Sequence, residues 1–279
     1  MRRKKVSIQG IAASFHDVAA QKFFGRNIDI IEANSFRSSC EKMVNGEADY
    51  CVMAIENSTA GTILTNYQFI TDYRLRVIGE VYLQIELHLM GLNGAKIDDI
   101  EFIHSHPMAI RQCDEFLLRY PDKKVLALND TAECARNVRD KKLNNTAVIA
   151  GDAAAEKYGM TIMHSNIETH KRNYTRFLIL SDKNIKIKGA NKASISFQLD
   201  NSPRNLKKVV DILGDYWINL TKIQSVPIVG RPNEYTFLVD LEWSKYEDYE
   251  TAITKVLKKT FNLSILGEYR KGKFVTAKL

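Results

Sequence analysis

Between residue 4 and about residue 180, short apolar strand patterns and helix-length stretches take turns, and this alternation narrows the possible folds more than any other feature. Lys5-Val6-Ser7-Ile8-Gln9-Gly10 reads as a strand running into a glycine turn. Ser14 to Phe24 follows, with Phe15, Val18, Ala19 and Phe23 near helical spacing and Ser14 as N-cap. Ile28-Asp29-Ile30-Ile31 is a second strand, Ser35 to Asn45 a helix closed by Gly46, and Tyr50 to Ile55 a buried strand. The pattern returns at Ile100–Ile103, Val125–Leu128 and Ala147–Ala150, each followed by a helix-like stretch. Such alternation predicts α/β layers with largely parallel strands.

One segment breaks the rhythm. Arg76 to Leu92 is long and extended in pattern, with no helix after its first half. A crossing between two lobes near residues 77–92, with a return near 163–175, accounts for it. The expected body is bilobed and resembles a periplasmic binding protein, with a cleft beyond the carboxyl ends of its strands. Glu56-Asn57-Ser58, His104-Ser105-His106, Asp130-Thr131 and Gly151-Asp152 occupy such strand ends.

The order changes after a lysine-rich stretch. Residues 183–192 hold four lysines and one glycine, which marks a solvated linker between a body at 1–182 and a module at 193–279. Beyond it the expectation is strand Ala193–Leu199, helix Pro203–Gly214, strands Trp217–Val226 and Tyr235–Glu242, helix Tyr246–Phe261 and strand Leu263–Glu268. This βαββαβ order is ferredoxin-like.

Composition excludes several classes. Hydrophobic residues at 45% and charged residues at 26% argue against a disordered or fibrous chain. No apolar run approaches the ~20 residues that span a bilayer, and the basic start lacks a signal-peptide core. The expected location is therefore the cytoplasm. Cys40, Cys51, Cys113 and Cys134 are widely spaced, without a CxxC pair or nearby histidines, and read as reduced, buried thiols. The net charge of +7 suits anionic ligands. Its lysines and arginines are scattered and no recognition motif accompanies them, so neither nucleic acid nor membrane is an expected partner.

Three polar blocks stand out against this frame: Ala54-Ile55-Glu56-Asn57-Ser58 with Gly61, Ser105-His106-Pro107 running to Gln112-Cys113, and Asn173-Tyr174-Thr175-Arg176-Phe177. In this order and at these separations the chain resembles the prephenate dehydratase family from about residue 5 to 270. Gly10 through Ser14-Phe15 to Ala19-Ala20 resembles the family's opening motif, departing at Ile11, where proline is usual, and at Ala13, where glycine is usual. Asp130-Thr131-Ala132 matches, while Thr169 stands where an aspartate is common. Ile218-Asn219-Leu220-Thr221 within the βαββαβ unit resembles an ACT domain, a module that senses amino acids.

The resemblance implies decarboxylating dehydration of prephenate to phenylpyruvate, without metal, nucleotide or redox cofactor. Few residues precede Val6, so the expectation is a monofunctional dehydratase. The implied leaving-group residue is Thr175, with Glu56 as a candidate proton partner if burial raises its pKa. Arg176 can fork onto a substrate carboxylate. Asn57, Ser58, Ser105, Ser14 and Thr131 can orient the substrate, and Phe177 can form an apolar wall. Each has a plainer reading. Glu56 can satisfy a helix N-terminus, Arg176 can be a structural ion-pair partner, Phe177 can be core, His106 can be a turn or cap residue, and His16 can be helix surface. Two alternatives stay open at this point: arogenate as substrate, and a non-catalytic small-molecule sensor on the same two-lobed fold.

Regulation is a separate question. In regulated relatives a Gly-Ala-Leu turn and a Glu-Ser-Arg-Pro turn build a phenylalanine pocket. Here the corresponding segments are Pro203-Arg204-Asn205-Leu206 and Gln224-Ser225-Val226-Pro227. Asn219, Leu220 and Ser225 are the candidate regulatory residues. The expectation is weak or altered phenylalanine feedback, with the module serving as a pairing surface for a homodimer or homotetramer.

Overall fold

The computed structural model describes residues 2–200, 202, 204–228 and 230–278. These divide into two compact units. One takes in residues up to Asn66, Val81–Ile179 and the residues from Lys273 onward; the other takes in Tyr67–Glu80 and Leu180–Gly272.

The first unit opens as the alternating pattern predicts, with β1 (Lys4–Gln9), α1 (Phe15–Phe24), β2 (Ile28–Ala33), α2 (Phe36–Val44) and β3 (Tyr50–Asn57). β1 pairs in parallel with both β2 and β3. Ser14 and Ser35 cap their helices by accepting from Asp17 N–H and Ser38 N–H, which satisfies donors that a helix start leaves open. The short β4 (Gly61–Thr62) folds back on β3, and α3 (Leu64–Asp72) precedes β5 (Arg76–Gln84).

The chain then leaves this sheet. Ile85–Leu87 connects β5 to β6 (His88–Gly91), which belongs to a separate five-stranded sheet. That second lobe continues after a 3₁₀ turn at Ile97–Asp99 with β7 (Phe102–Ser105), α4 (Pro107–Gln112), α5 (Asp114–Leu117), β8 (Lys124–Ala127), α6 (Thr131–Asp140), β9 (Thr146–Ala150), α7 (Asp152–Tyr158) and β10 (Thr161–His164). Its strand order is β10-β6-β9-β7-β8, parallel across β7, β8 and β9 and antiparallel at β6 and β10. After β10 the chain returns through residues 165–173 to β11 (Tyr174–Ser181) in the first sheet.

The second unit carries β12 (Lys192–Gln198), α8 (Asn205–Asp215), β13 (Asn219–Pro227), β14 (Tyr235–Glu242), α9 (Tyr246–Leu257) and β15 (Phe261–Tyr269). Its antiparallel sheet has the order β13-β14-β12-β15, the ferredoxin-like arrangement, and Pro203, placed at the start of its first helix, lies outside the described residues. Alternate residues Ala193, Ile195 and Phe197 of β12 point into a core with Val209, Leu213, Tyr249 and Val256 from the helices. The opposite face carries Ser194, whose hydroxyl bonds Asp240 and Tyr269 at 2.5 and 2.7 Å.

Three boundaries differ from the sequence reading. Tyr67–Glu80, expected within the body at 1–182, falls in the second unit. Lys192, placed in the solvated linker, opens β12 and is buried between Glu80 at 3.0 Å and Glu242 at 3.3 Å. A buried ammonium persists because two carboxylates surround it, and a lysine tally cannot distinguish such a residue from a solvated one. At the other end the chain does not stay with the module. β16 (Phe274–Val275) pairs in parallel with β5 in the first sheet, giving the order β16-β5-β11-β3-β1-β2, with β4 on β3. Phe274 stacks on Tyr82 at 4.7 Å, so an aromatic contact accompanies this short pairing.

Candidate functional site

A cavity of about 700 Å³ lies between the two lobes of the first unit. The first lobe contributes Gln9, Ser14, His16, Ser35, Phe36, Ala54, Asn57, Thr175 and Phe177 to its wall, and the second contributes His106, Gln112, Asn129, Asp130 and Thr131. Among the described residues lining it there is no lysine or arginine. Positive potential comes instead from helix starts. The capping residues Ser14, Ser35, His106 and Asp130 of α1, α2, α4 and α6 all lie on the wall, so four helix starts face it. Such ends favour an anion without a formal cation.

Thr175 sits at the first turnings of β11, 9% exposed. Its Oγ1 accepts a hydrogen bond from Asn57 Nδ2 at 2.9 Å, and the second N–H of that amide goes to Asn173 Oδ1 at 2.8 Å. The amide cannot be reversed. Asn57 Oδ1 accepts from Thr59 N–H at 3.0 Å, Thr59 Oγ1 at 2.7 Å and Ala60 N–H at 2.9 Å. The oxygen of Thr175 is therefore committed as an acceptor, and its own O–H remains to donate to a ligand. A hydroxyl that accepts a hydrogen bond becomes a better donor, since hydrogen-bond chains polarise one another. Asn57 lines the cavity, yet both its N–H bonds and its carbonyl are spent on the protein. It positions Thr175 and leaves nothing for a ligand.

Strand parity separates the neighbours in the Thr-Arg-Phe block. Thr175 and Phe177 face the cavity, and Arg176 between them is absent from its wall. Arg176 is 3% exposed, lies 3.8 Å from Glu56 Oε2 and packs 5.7 Å from the Tyr82 ring centre. Glu56 is likewise off the wall. The readings of Arg176 as a substrate fork and Glu56 as a proton partner in the cavity are corrected accordingly: the two form a structural pair on the other face of the sheet.

The serines divide similarly. Ser14 lines the cavity, capping α1. Ser105 is buried in the second sheet, where its hydroxyl donates to the Ile149 carbonyl at 2.6 Å, and it does not reach the cavity. Ser58 clamps β3 to β11: its N–H donates to Tyr174 O at 2.8 Å and its Oγ accepts from Tyr174 N–H at 2.9 Å. Both are framework residues, because backbone groups that end a strand take up their hydroxyls. Thr131 stays on the wall at the start of α6.

Three wall residues carried no functional assignment in the sequence reading. His16, read as helix surface, stands edge-on to Phe177 with ring centres 5.0 Å apart, and its Nε2 accepts from Ala54 N–H at 3.4 Å. Burial, and then the nearby His106, lowers its pKa to about 3, so it is neutral near pH 7. His106 caps α4 by accepting Met108 N–H at Nδ1, 3.1 Å away, and partial burial also lowers its pKa. That bond leaves the proton on Nε2. Asp130 caps α6 through Glu133 N–H at 2.8 Å. Burial raises its pKa, opposed by N–H bonds from Glu133 and Ala132. The histidines could not be ranked by spacing alone, because only the meeting of two lobes places them on one wall.

In the second unit Asn219, Leu220 and Ser225 lie along β13, an edge of the sheet. Asn219 and Ser225 are exposed and Leu220 packs against the core. Arg204 begins α8 with φ 75°, left-handed and without a side-chain cap. Among the described residues, no helix is long and apolar enough to cross a membrane, and no His/Cys/Asp/Glu group is placed to hold a metal ion.

Known proteins resemble this chain over most of its length. The prephenate dehydratase family model matches residues 6–185. A bifunctional chorismate mutase/prephenate dehydratase of Aquifex aeolicus is 31% identical over 97% of this chain and 75% of its own length. An arogenate dehydratase/prephenate dehydratase of Arabidopsis thaliana is 32% identical over 96% and 73%. Among solved structures, one described as a novel type of quorum-quenching acylase superposes with a TM-score of 0.86 at 24% identity, over 96% of this chain and 98% of that one. The prephenate dehydratase of Arthrobacter aurescens, in complex with L-Phe, gives 0.83 at 22%, over 95% and 90%. At such identities the superpositions speak for the fold, which does not by itself fix an activity.

Proposed function

The chain belongs to the prephenate dehydratase family, and we propose that its interlobe cavity converts prephenate to phenylpyruvate, water and carbon dioxide, a lyase reaction in phenylalanine biosynthesis. The observation that carries this reading is the Thr175 hydroxyl, directed by Asn57 so that its proton is free for the departing ring hydroxyl. Thr175 is the catalytic residue in this assignment and Asn57 its positioning residue. The helix starts capped by Ser14, Ser35 and Asp130 receive the two carboxylates, and Thr131 lies among these donors. Phe177 and Phe36 supply the apolar wall against which a carboxylate is readily lost as carbon dioxide.

Arogenate is the second reading, supported by the curated relatives that carry that name. Incubating the protein with each compound separates the two. Phenylpyruvate absorbance is the expected product from prephenate, and phenylalanine that from arogenate. Binding of both compounds without turnover of either would favour a sensor and sink the catalytic assignment.

The second unit is the proposed seat of regulation and of pairing between copies, a reading that rests on its ferredoxin-like order and is joined by a prephenate dehydratase of the same fold that was crystallised with L-Phe. β13 offers an unpaired strand edge for this purpose.

A further inference from the structure

Dehydration of prephenate needs a proton for the departing hydroxyl, and an unperturbed threonine hydroxyl is a weak acid. Glu56 lies off the cavity, which leaves Asp130 as the sole carboxyl side chain among the described residues of the wall. Its position is unusual. Asp130 belongs to the second lobe, yet its carboxyl rests on Gly10 of the first. A Cβ added at Gly10 would lie 2.7 Å from Asp130 Oδ2 and 3.5 Å from the Ser14 side chain. Gly10, at φ 97°, thus admits the carboxyl to the junction of the lobes beside Ser14. Oδ1 accepts the Glu133 N–H and caps α6, the Ala132 N–H also bonds the carboxyl, and Oδ2 lies against the facing lobe.

Resting on the dehydratase reading above, we propose that Asp130 is the general acid of the reaction, giving its proton to the ring hydroxyl that Thr175 orients. The ring C–O bond breaks and the hydroxyl leaves as water with the proton of Asp130. The electron pair of the ring–carboxylate bond enters the ring, which becomes aromatic, and the carboxylate departs as carbon dioxide. Asp130 is left ionised and recovers a proton from solvent before the next turnover. Asp130 and Thr175 line the same cavity from opposite lobes, so a substrate between them meets both.

The surroundings suit this role. Burial already raises the carboxyl's pKa, and a bound dianion raises it further by like-charge repulsion. The titratable groups that interact with it are Glu133, Cys134 and Arg136 on its own helix and Tyr158 on α7. Burial pushes both Cys134 and Tyr158 to about 12, so neither titrates near neutrality. Glu133 and Arg136 pair with each other at 3.1 Å. On the cavity wall, His16 and His106 are held neutral by their lowered pKa values.

Asp130→Asn separates the acid from the cap, since asparagine caps a helix as well as aspartate and has the same shape. The expected result is a fall in kcat of ~10²–10⁴, with KM within a few-fold and an unchanged melting temperature. The wild-type kcat should decline as pH rises through the carboxyl's pKa in the complex, and that limb should disappear in the variant. Asp130→Ser, which also caps, should behave alike. A kcat within threefold of wild type in either variant, or a pH limb that persists in Asp130→Asn, overturns the assignment while leaving the dehydratase reading standing. A wild type that turns over neither prephenate nor arogenate overturns both.

Discussion

Each unit of the protein holds a non-glycine residue in the left-handed region at a turn where the resembled family pattern has glycine, and the two are treated very differently. In the first unit it is Ala13, φ 70°, buried, with its N–H donating to Asp17 Oδ2 at 2.7 Å. In the second it is Arg204, φ 75°, exposed, at the start of α8. Both residues hold the left-handed backbone that a glycine adopts without strain. At the cavity the glycine has given way to the smallest side chain that could replace it, and a local carboxylate ties the turn down. In the module it has given way to one of the longest. Close approach of a ligand to the backbone survives the first exchange better than the second. The comparison teaches that one left-handed turn carries a methyl and is tied by Asp17, whereas the other carries a long exposed side chain that a ligand would have to pass.

The largest test of the catalytic half is Thr175→Ala. Asn57 Nδ2 would lose one acceptor, and the departing hydroxyl would lose its oriented donor. Turnover should fall by ~10²–10⁴, with the melting transition close to wild type. Steady-state kinetics with prephenate checks this, and a variant of near-normal kcat would break the claim that this unit is the preserved one.

Next comes Arg176. As a substrate fork it would raise KM when changed to lysine; as the buried partner of Glu56 it should chiefly affect stability. The geometry favours the second outcome. Arg176→Met should cost about 1 kcal/mol, because it removes a long ion pair to a Glu56 that is 39% exposed and uncovers Tyr82. KM for prephenate should stay within threefold. Denaturant unfolding and kinetics on the same variant decide between the readings.

Strand parity was available in that block, and the expectation that Arg176 joins Thr175 on the substrate ran against it, because adjacent residues of a strand face opposite ways. Thr175 and Arg176 could never have shared one cavity wall. The α/β alternation and the βαββαβ order were legible, since each rests on local periodicity and the order of elements. Other features had no local signal. Asn57 meets Asn173 and Thr175 across more than a hundred residues of chain. Asp130 meets Gly10, and His16 meets Phe177, only when sheets and lobes have packed. Lys192 looked like linker because its two carboxylates, Glu80 and Glu242, are far away in sequence.

The regulatory half is tested by phenylalanine. If Arg204 and Val226 have removed access and a guanidinium from the pocket, calorimetric titration should show binding well over tenfold weaker than micromolar, and turnover should be insensitive to the amino acid. Loss of even two charge-assisted bonds at ~1.5–3 kcal/mol each is enough for that. Micromolar binding with inhibition would show that backbone groups do the holding and that the contrast between the two turns has no functional consequence.

The smallest effect compares the two turns directly, by restoring glycine to each. Left-handed backbone costs a residue with a Cβ roughly 1–2 kcal/mol, and glycine returns part of that through its freer unfolded chain, roughly 0.4–1 kcal/mol. Both Ala13→Gly and Arg204→Gly should therefore stabilise the protein, each by about 0.5–1 kcal/mol, read as a small rise in the unfolding midpoint. Their functional signatures should differ. Ala13→Gly should leave kcat and phenylalanine binding where they were, because the alanine methyl blocks neither. Arg204→Gly should tighten phenylalanine binding, and more so with Val226→Arg, because it reopens the approach and then returns the charge. Equal behaviour of the two glycine variants toward phenylalanine would mean that the left-handed turn, and not the side chain it carries, sets the fate of each site.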